Sequence, residues 1–298
     1  MSSTASPRIS VCIPTFNGAN TIEETVNSVL GQSISEIELI ICDDGSTDQT
    51  IQRLATFSDA RLKIYHLEKL ESATDNWNRA LGFCSGEFIK VMGQDDILYP
   101  NCLETELLAL AKFNFLEPTF VYSRRNIILE NGTRIKIPRP FNNNRIRPSD
   151  SRRLLRGVIR SGRNPIGEPV AVTFRRDAVL MTEGFRGSYV IDLDMWFQLL
   201  MLGPAIKVNH VLTAFRVSHN SWSFRLRRIQ ARETIELYDK IAAASLIDDL
   251  GLSVFIGKQM AHLMQFLRRA FLFTLWIHQN RLLSTLYFLK RYPQRDPG

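Results

Sequence analysis

The sequence predicts an α/β protein with a mostly parallel central sheet, covered by helices on both faces and followed by a C-terminal helical extension. In roughly the first 115 residues, short β-branched apolar runs alternate with segments that carry apolar residues at helical spacing. Such alternation is typical of parallel sheets whose strands are buried on both sides. Pairs of acids also follow two of the apolar runs directly, and ligands bind at that end of the strands in sheets of this class.

The first half supplies four strand–helix pairs in order. The predicted strands are Arg8–Thr15, Ile37–Cys42, Leu62–His66 and Phe88–Met92. The predicted helices are Thr21–Gln32, about Asp48–Phe57, Ala73–Cys84 and Leu103–Phe113, the last one opened by Pro100. Thr21 and Glu24 have the spacing of a capping box at the start of the first helix.

Strand and helix patterns alternate less regularly in the second half of the chain. Predicted strands are Thr119–Ser123, Asn126–Leu129, Ile135–Ile137 after an Asn-Gly turn, the end of Asn164–Phe174, and one or two within Val208–Val217. Helical patterns cover Tyr189–Gly203, Phe224–Asp249 and, with alternating apolar and basic residues, Val254–Leu289. We therefore expect a first domain over residues 1–224, made of halves 1–115 and 116–224, and a basic helical extension over 225–298.

The net charge of +7 is unevenly distributed. Residues 1–112 have a net charge of −8, whereas residues 113–224 carry +9 and residues 225–298 carry +6. A protein that binds nucleic acid over a uniformly basic surface would not begin with its most acidic third, so no nucleic-acid partner is expected. The four cysteines lack metal or redox spacing, and the first residues lack the apolar core of a signal peptide, which favours a reducing, cytoplasmic location.

Two acid pairs, Asp43/Asp44 and Asp95/Asp96, each follow a predicted buried strand. Buried carboxylates are costly unless a cation neutralises them, so a divalent cation that holds a diphosphate is one interpretation. The alternative is a solvated turn in which Asp96 caps the next helix. The sequence lacks both the dinucleotide-binding G-x-G-x-x-G turn and the G-x-x-x-x-G-K loop, which argues against nicotinamide enzymes and P-loop nucleotidases.

Three stretches in this order resemble the family 2 glycosyltransferases of the GT-A fold: ISVCIPTFNGANTIEETVNSVLGQ, IELIICDDGSTDQT and NWNRALGFCSGEFIKVMGQDDILYP. The resemblance implies a GT-A type fold, a nucleotide-diphospho-sugar donor, and a divalent cation, Mn²⁺ or Mg²⁺. It also implies nucleotide-sugar contacts at the positions that match the family motifs: Pro14, Thr15, Phe16, Asn17, Asp44, Asn78, Gln94, Asp95 and Asp96.

Individual roles follow from the same resemblance. Asp44 matches the acid that accepts the imide N–H of a pyrimidine, and Asp43 is expected to order the loop. Asp95 matches the metal-binding end of the D-x-D element. Gly93 stands where the family commonly has the first acid, which leaves one carboxylate fewer for the cation or the donor.

Residues near the end of the predicted first domain complete the expected site. Asp192 matches the family's catalytic base, although the start of a helix would satisfy it equally as a cap, and Asp194 is expected to be structural. His219 is a candidate metal ligand, with a simple hydrogen-bonding role as the alternative. Arg216 is expected to steady the diphosphate.

The resulting hypothesis is an inverting glycosyltransferase that moves a sugar from a UDP- or dTDP-linked donor to a saccharide or lipid-linked saccharide, in synthesis of a surface polysaccharide or glycoconjugate. The alternatives are a catalytically impaired nucleotide-sugar-binding protein and a basic membrane-associated scaffold. Residues 134–163 carry ten basic residues against Asp150 alone, either as a solvated segment or as an anion-gathering flap. Residues 252–291 either lie on a membrane surface or pack onto the rest of the protein. The first alternative would place the protein peripherally on the inner face of the membrane.

Overall fold

The computed structural model describes residues 6–70, 72–130, 132–135, 145–217, 229–243, 251–267 and 270. The strands are β1 Ile9–Thr15, β2 Ile37–Asp44, β3 Leu62–Leu67, β4 Phe88–Val91, β5 Ile97–Leu98, β6 Phe120–Leu129, β7 Arg134–Ile135, β8 Ile146–Ser149, β9 Val172–Arg175 and β10 Ala205–Val217. The helices are α1 Ile22–Leu30, α2 Thr50–Leu54, α3 Ala73–Gly82, α4 Cys102–Lys112, α5 Ser151–Ser161, α6 Arg176–Leu180, α7 Ile191–Leu202, α8 Gln230–Ala243 and α9 over residues 251–267.

Within the described residues these strands form one mixed sheet in the order β3-β2-β1-β4-β9-β6-β10-β5, with β7 beside β6 and β8 beside β10. Strands β3, β2, β1 and β4 are parallel, as are β6 and β10. Strand β9 lies antiparallel between β4 and β6 and joins the two parallel groups. The predicted α/β fold with a mostly parallel sheet is confirmed.

Two apolar cores cover the two faces of the sheet. Because side chains alternate along a strand, Ile9, Val11 and Ile13 of β1 enter one core while Cys12 enters the other. The first core is closed by α1, α2 and α4, and the second mainly by α3, α5, α6 and α7. All four cysteines are buried and free.

Several local expectations change where distant residues intervene. The region predicted as two strands, residues 119–129, is one strand, β6, because it pairs with β10 along its length. Helix α4 begins at Cys102 rather than Pro100, since Ile97 and Leu98 pair with β10 first. The capping box does not form: Thr21 donates its hydroxyl to Gln94 O, and Glu24 pairs with Arg216.

The C-terminal extension is helical where it is described. Helix α8 contributes Leu237, Tyr238 and Ile241 to the second core, and Val254 of α9 joins them. No helix among the described residues is long and apolar enough to cross a bilayer. His219 lies outside the described residues, as does the predicted 252–291 segment after residue 267, apart from residue 270.

Candidate active site

Three loops meet at the carboxyl edge of the sheet, after β1, β2 and β4. The Gln94 side-chain amide bonds both backbone groups of Phe16 in the loop after β1: its Oε1 accepts the Phe16 N–H at 2.8 Å, and its Nε2 donates to Phe16 O at 3.0 Å. Asn17 joins the same loop to the one after β2: its N–H donates to Ser46 Oγ at 2.8 Å, and its Oδ1 accepts the Thr47 N–H at 2.9 Å. Phe16, Asn17 and Gln94, three of the sequence-predicted donor residues, therefore lie together at this edge.

The close approach of these loops depends on local backbone geometry. Asn17 adopts a left-handed conformation with φ of 51°, which asparagine tolerates better than most residues. A Cβ atom on Gly18 would lie 2.7 Å from Cδ of Gln94, so a larger residue there would displace that side chain. Gln94 thus acts here on the protein backbone, and its predicted contact with the donor stays a prediction.

The end of β2 and the loop after it carry side chains that the sequence predicts to bind a nucleotide base. The buried carboxylate of Asp44 accepts the Leu70 N–H at 2.8 Å and the Arg79 guanidinium at 2.9 Å. Phe16 is 39% exposed, and Nζ of Lys69, the residue before Leu70, lies 4.2 Å from the centre of its ring. An exposed aromatic face and an oriented acid suit a heterocyclic base.

The residues at the ends of β1 and β2 are buried. Pro14 and Thr15 pair with Cys42 and Asp43 along β1 and β2, and Thr15 Oγ1 donates to Ile13 O. Asp43 is fully buried and accepts the Ser46 N–H at 2.9 Å. The prediction that Asp43 orders the loop is confirmed.

The acid pair after β4 is held over Gly93. A Cβ atom on Gly93 would lie 2.9 Å from Asp95 Oδ1 and 3.0 Å from Asp96 Oδ2, so one oxygen of each carboxylate converges on that position. Burial raises the pKa of Asp95 to about 6, against the lowering effect of the Arg216 guanidinium. Burial, and next the adjacent Asp95, raise the pKa of Asp96 well above its usual range. Both acids would ionise more readily beside a cation.

Arg216 at the end of β10 organises this acid pair. Its backbone N–H donates to Asp96 Oδ1 at 3.0 Å, its Nε donates to Asp95 O at 2.8 Å, and its Nη2 donates to Glu24 at 2.6 Å. Asp96 is thereby fixed by Arg216 and the Gly93 N–H rather than capping a helix, so the capping alternative is wrong. The guanidinium is buried at 7% exposure, and a contact with diphosphate stays a prediction.

The oxygen ligands at this site fit a divalent cation. Mg²⁺ and Mn²⁺ prefer oxygen ligands, and Mg²⁺ is commonly held by one or two carboxylates together with substrate phosphates and water. Asp95 and Asp96 supply such a pair. Among the residues that the structure describes, no group of three or more His, Cys, Asp or Glu residues is placed to hold a metal by itself. The remaining ligands would come from the substrate, from water, or from His219, which lies outside the described residues.

Asp192 lies in the first turn of α7. Its Oδ1 accepts the Leu193 N–H and its Oδ2 accepts Nδ2 of Asn164, both at 2.8 Å. The loop that contains Asn164 continues to Glu168, whose charge contributes to raising the pKa of Asp96. The 164–168 loop therefore carries both a hydrogen-bond partner of Asp192 and a charge that acts on Asp96.

The neighbouring residues of α7 have structural roles. Asp194 is buried and pairs with Arg186 through two hydrogen bonds of 2.9 Å, and it also accepts from Gln198. The prediction that Asp194 is structural is confirmed. Asn78 bonds both the N–H and the carbonyl of Phe185 with its side-chain amide, at 2.8 and 2.9 Å, so its contact with the donor stays a prediction.

Sequence reasoning missed Arg79, Asn164 and Glu24. Arg79 carried a usable signal, because it follows Asn78 directly inside the third motif and lies three residues after Asn76, whose Oδ1 it bonds. Asn164 and Glu24 contact Asp192 and Arg216, which are 28 and 192 positions away. No local pattern reveals such partners.

The chain is similar to known proteins in sequence and in fold. The family model described as "Glycosyl transferase family 2" matches residues 10–179. The Escherichia coli protein named UDP-Glc:alpha-D-GlcNAc-diphosphoundecaprenol beta-1,3-glucosyltransferase WfgD is 36% identical over 123 residues, or 41% of this chain. The aligned part spans 47% of that relative, about half its length.

Solved structures share the fold. Residues 1–349 of TarS from S. aureus, in complex with UDP-GlcNAc, superpose with a TM-score of 0.65 at 18% identity, over 85% of this chain and 70% of that one. The mannosyltransferase PcManGT from Pyrobaculum calidifontis, in complex with GDP-Man and Mn²⁺, has a TM-score of 0.59 at 20% identity, over 88% of this chain and 72% of that one. At these identities the likeness establishes a GT-A type fold alone.

Proposed function

Since the chain belongs to glycosyl transferase family 2, we propose that it transfers a sugar from a nucleotide-diphospho-sugar to an acceptor hydroxyl with inversion at the anomeric carbon. The donor is UDP- or dTDP-linked. The observation that supports the proposal is the convergence of Asp95 and Asp96 over Gly93, directly after β4 at the carboxyl edge of the sheet.

The base and ribose of the donor bind against the loops after β1 and β2. Phe16 offers an exposed aromatic face, and Asp44 is oriented by Arg79 to accept an imide N–H. A uracil or thymine ring has that donor, whereas a cytosine ring presents an acceptor at the same position, so a buried carboxylate would disfavour cytosine. Pro14, Thr15 and Asn17 shape the pocket, while Gln94, Asn78 and Arg216 contribute by holding its loops.

Asp95 and Asp96 would hold Mn²⁺ or Mg²⁺, with His219 as a further candidate ligand. The cation supplies a positive charge that stabilises the diphosphate as it departs. Arg216 sets the position of both acids through its bonds to Asp95 O and to the Asp96 carboxylate. Gly93 leaves room for the two carboxylate oxygens to converge, in the place where a larger residue would separate them.

Asp192 acts as the general base. It removes the proton from the acceptor hydroxyl while that oxygen attacks the anomeric carbon from the face opposite the diphosphate. One new C–O bond forms as the bond between the sugar and the diphosphate breaks, so a single displacement suffices and no enzyme-bound sugar is needed. The acceptor is a saccharide or a lipid-linked saccharide, supported by the lipid-diphosphate acceptor in the name of the E. coli relative.

A membrane surface is the proposed partner of the C-terminal extension, which places the protein peripherally on the inner, cytoplasmic face. Helix α9 exposes Leu252 and Phe255 at 63% each and Phe266 at 67%, and residues 251–267 contain no acid. Helix α5 packs beside it, with Arg160 Nε donating to Ser253 Oγ at 2.9 Å. Arg160 and Arg163, both exposed, contact Ser253 and Met264 of α9, and Arg152 and Arg153 at the start of α5 are exposed as well. Apolar and cationic groups together suit an anionic leaflet.

The transfer proposal is tested by incubating the protein with UDP-, dTDP- and GDP-sugars and measuring nucleotide release with and without Mn²⁺ or Mg²⁺. We expect release only with a cation and a uracil or thymine donor. Asp95→Ala should abolish cation-dependent donor binding, and Asp192→Asn should bind donor normally but turn over at least a hundredfold more slowly. Asp177→Asn, at an exposed ion pair with Arg175, is the control. Full activity of Asp192→Asn would exclude it as the base, and donor binding without any transfer would indicate a binding protein.

The membrane proposal is tested by vesicle flotation. The protein should float with phosphatidylglycerol vesicles and far less with phosphatidylcholine vesicles. Replacing Phe255 and Phe266 by serine should prevent flotation, whereas Phe115→Ser, which changes a phenylalanine 77% exposed elsewhere, should not. Unchanged flotation of the double variant would mean that this helix face is covered by another part of the chain or by a second copy.

A further inference from the structure

The side-chain amide of Asn164 is fully engaged. Its Oδ1 accepts the Gly167 N–H at 3.0 Å, and its Nδ2 donates both to Gly167 O at 2.9 Å and to Asp192 Oδ2 at 2.8 Å. Turning the amide over would place its oxygen against two acceptors and its nitrogen against a donor, so the network fixes which atom faces Asp192. Asn164 therefore presents an N–H to that carboxylate.

The loop that carries Asn164 is attached to α7 at a second point. Trp196 is fully buried and donates Nε1–H to Gly167 O at 3.0 Å. It follows Asp192 by four residues, so both side chains lie on the same side of the helix. Gly167 has φ of +118°, and a Cβ atom there would lie 2.8 Å from Arg125 Nη1. This geometry favours glycine and holds the loop in one conformation.

The two oxygens of Asp192 are thus bonded from two different elements, the backbone of α7 and the Asn164 loop. Two donors from separate rigid elements fix both the position and the plane of a carboxylate. Two acids close to it in the chain or on the same loop form ion pairs: Glu168, at the end of the Asn164 loop, with Arg125, and Asp194 of α7 with Arg186. Hydrogen bonds from N–H groups favour the ionised form of a carboxylate, which is the form that a base requires.

We infer that Asn164 is a positioning residue for the reaction, which orients Asp192 toward the acceptor hydroxyl and keeps it deprotonated through the Nδ2–H···Oδ2 hydrogen bond. The inference rests on the proposed role of Asp192 as the base. A purely structural role for Asn164, closing the 164–167 turn, is the competing explanation, and the two differ in what they predict for pH dependence.

The experiment compares Asn164→Ala, Asn164→Asp and Trp196→Phe in the full-length protein. Asn164→Ala should lower kcat by about 10- to 100-fold with the donor KM within about twofold. Asn164→Asp keeps the size but sets a second carboxylate against Asp192, so the acidic limb of the kcat/KM profile should move up by about one pH unit. Trp196→Phe also loosens the loop but keeps the Asn164–Asp192 bond, so it should lower Tm without moving that limb.

A double-variant cycle separates the two explanations further. If Asn164 acts through Asp192, then Asn164→Ala should cause no additional loss when Asp192 is already asparagine. If the losses of activity from Asn164→Ala and Asp192→Asn multiply in the double variant, the inference is overturned. It is also overturned if the acidic limb of the kcat/KM profile stays in place in Asn164→Asp. Should Asn164→Ala prove unfolded by its melting curve, Asn164→Ser replaces it with the same expectation.

The cycle also distinguishes this inference from the function on which it rests. An unimpaired Asp192→Asn would remove the proposed base, and the role of Asn164 with it. A slow Asp192→Asn together with Asn164 variants that match the wild type in kcat and pH profile would overturn only the positioning role.

Discussion

Glu38 is expected to supply one of the larger single electrostatic contributions to stability. It lies at the amino end of β2, far from the candidate site, and its side chain is 4% exposed. Burial alone would raise the pKa of this carboxyl, but hydrogen bonds from Lys63, Ser10 and Ser85 outweigh burial and lower the pKa from 4.5 to about 2. The four residues join the amino ends of neighbouring strands, with oxygen–donor distances of 2.6–2.8 Å.

The size of the contribution of Glu38 to folding stability follows from the shift of its pKa. A lowering by two to three units corresponds to about 3 kcal/mol of folding free energy at neutral pH. Lys63 is 49% exposed, so solvent screening reduces its share and we take about 2–3 kcal/mol. Because the pKa is lower in the folded state, this stabilisation is fully present above pH 4.5 and is lost as the pH falls from 4.5 toward 2.

Glu38→Gln tests this reasoning by urea unfolding at pH 7, 5, 4 and 3. The variant should be about 2–3 kcal/mol less stable than the wild type at pH 7, and the difference should shrink below pH 4.5 because only the wild type loses its carboxylate. Glu104→Gln is the matched control, since Glu104 is exposed and accepts one hydrogen bond, from Ser33. A difference that stays constant from pH 7 to pH 3 would refute the electrostatic account.

Three further perturbations have defined outcomes. Lys90→Met should lower the unfolding free energy, measured with urea, by about 3–5 kcal/mol, because Lys90 and Glu106 form an ion pair at 0% exposure. Adding Glu106→Leu should restore most of that loss. Gly18→Ala should raise the donor KM without changing Tm greatly, since its Cβ displaces Gln94; an unaltered donor titration would contradict this. Arg79→Met should weaken calorimetric UDP binding at least tenfold by releasing the carboxylate that it orients, and equal affinity would rule that out.

Much of the nucleotide-binding half was predictable because its determinants are local. Buried parallel strands appear as apolar runs, and β1, β3 and β4 end within one residue of their predicted limits. Strand β2 extends two residues further, through Asp43 and Asp44, because both pair with β3. The positions of the acid pairs could be predicted equally well from the sequence, because strand direction in a parallel sheet determines which edge the ends of the strands share.

The contacts that organise the site were not predictable, because their partners are distant in sequence. Gln94 is a plausible ligand residue by motif, yet its amide is engaged by the backbone of Phe16, 78 positions away. Arg216 likewise joins α1 to the acid loop through Glu24. An amide or guanidinium has no sequence periodicity that identifies its partner, so only the folded chain reveals such bonds.

Strand β9 has a consequence for biosynthesis. It fills the position between β4 and β6, although it follows β4 by about 80 residues in the chain. Until residues 172–175 leave the ribosome, both neighbours present open backbone edges that can pair with other nascent chains. We therefore expect translation products that stop before β9 to aggregate, even though they contain every motif of the nucleotide-binding half.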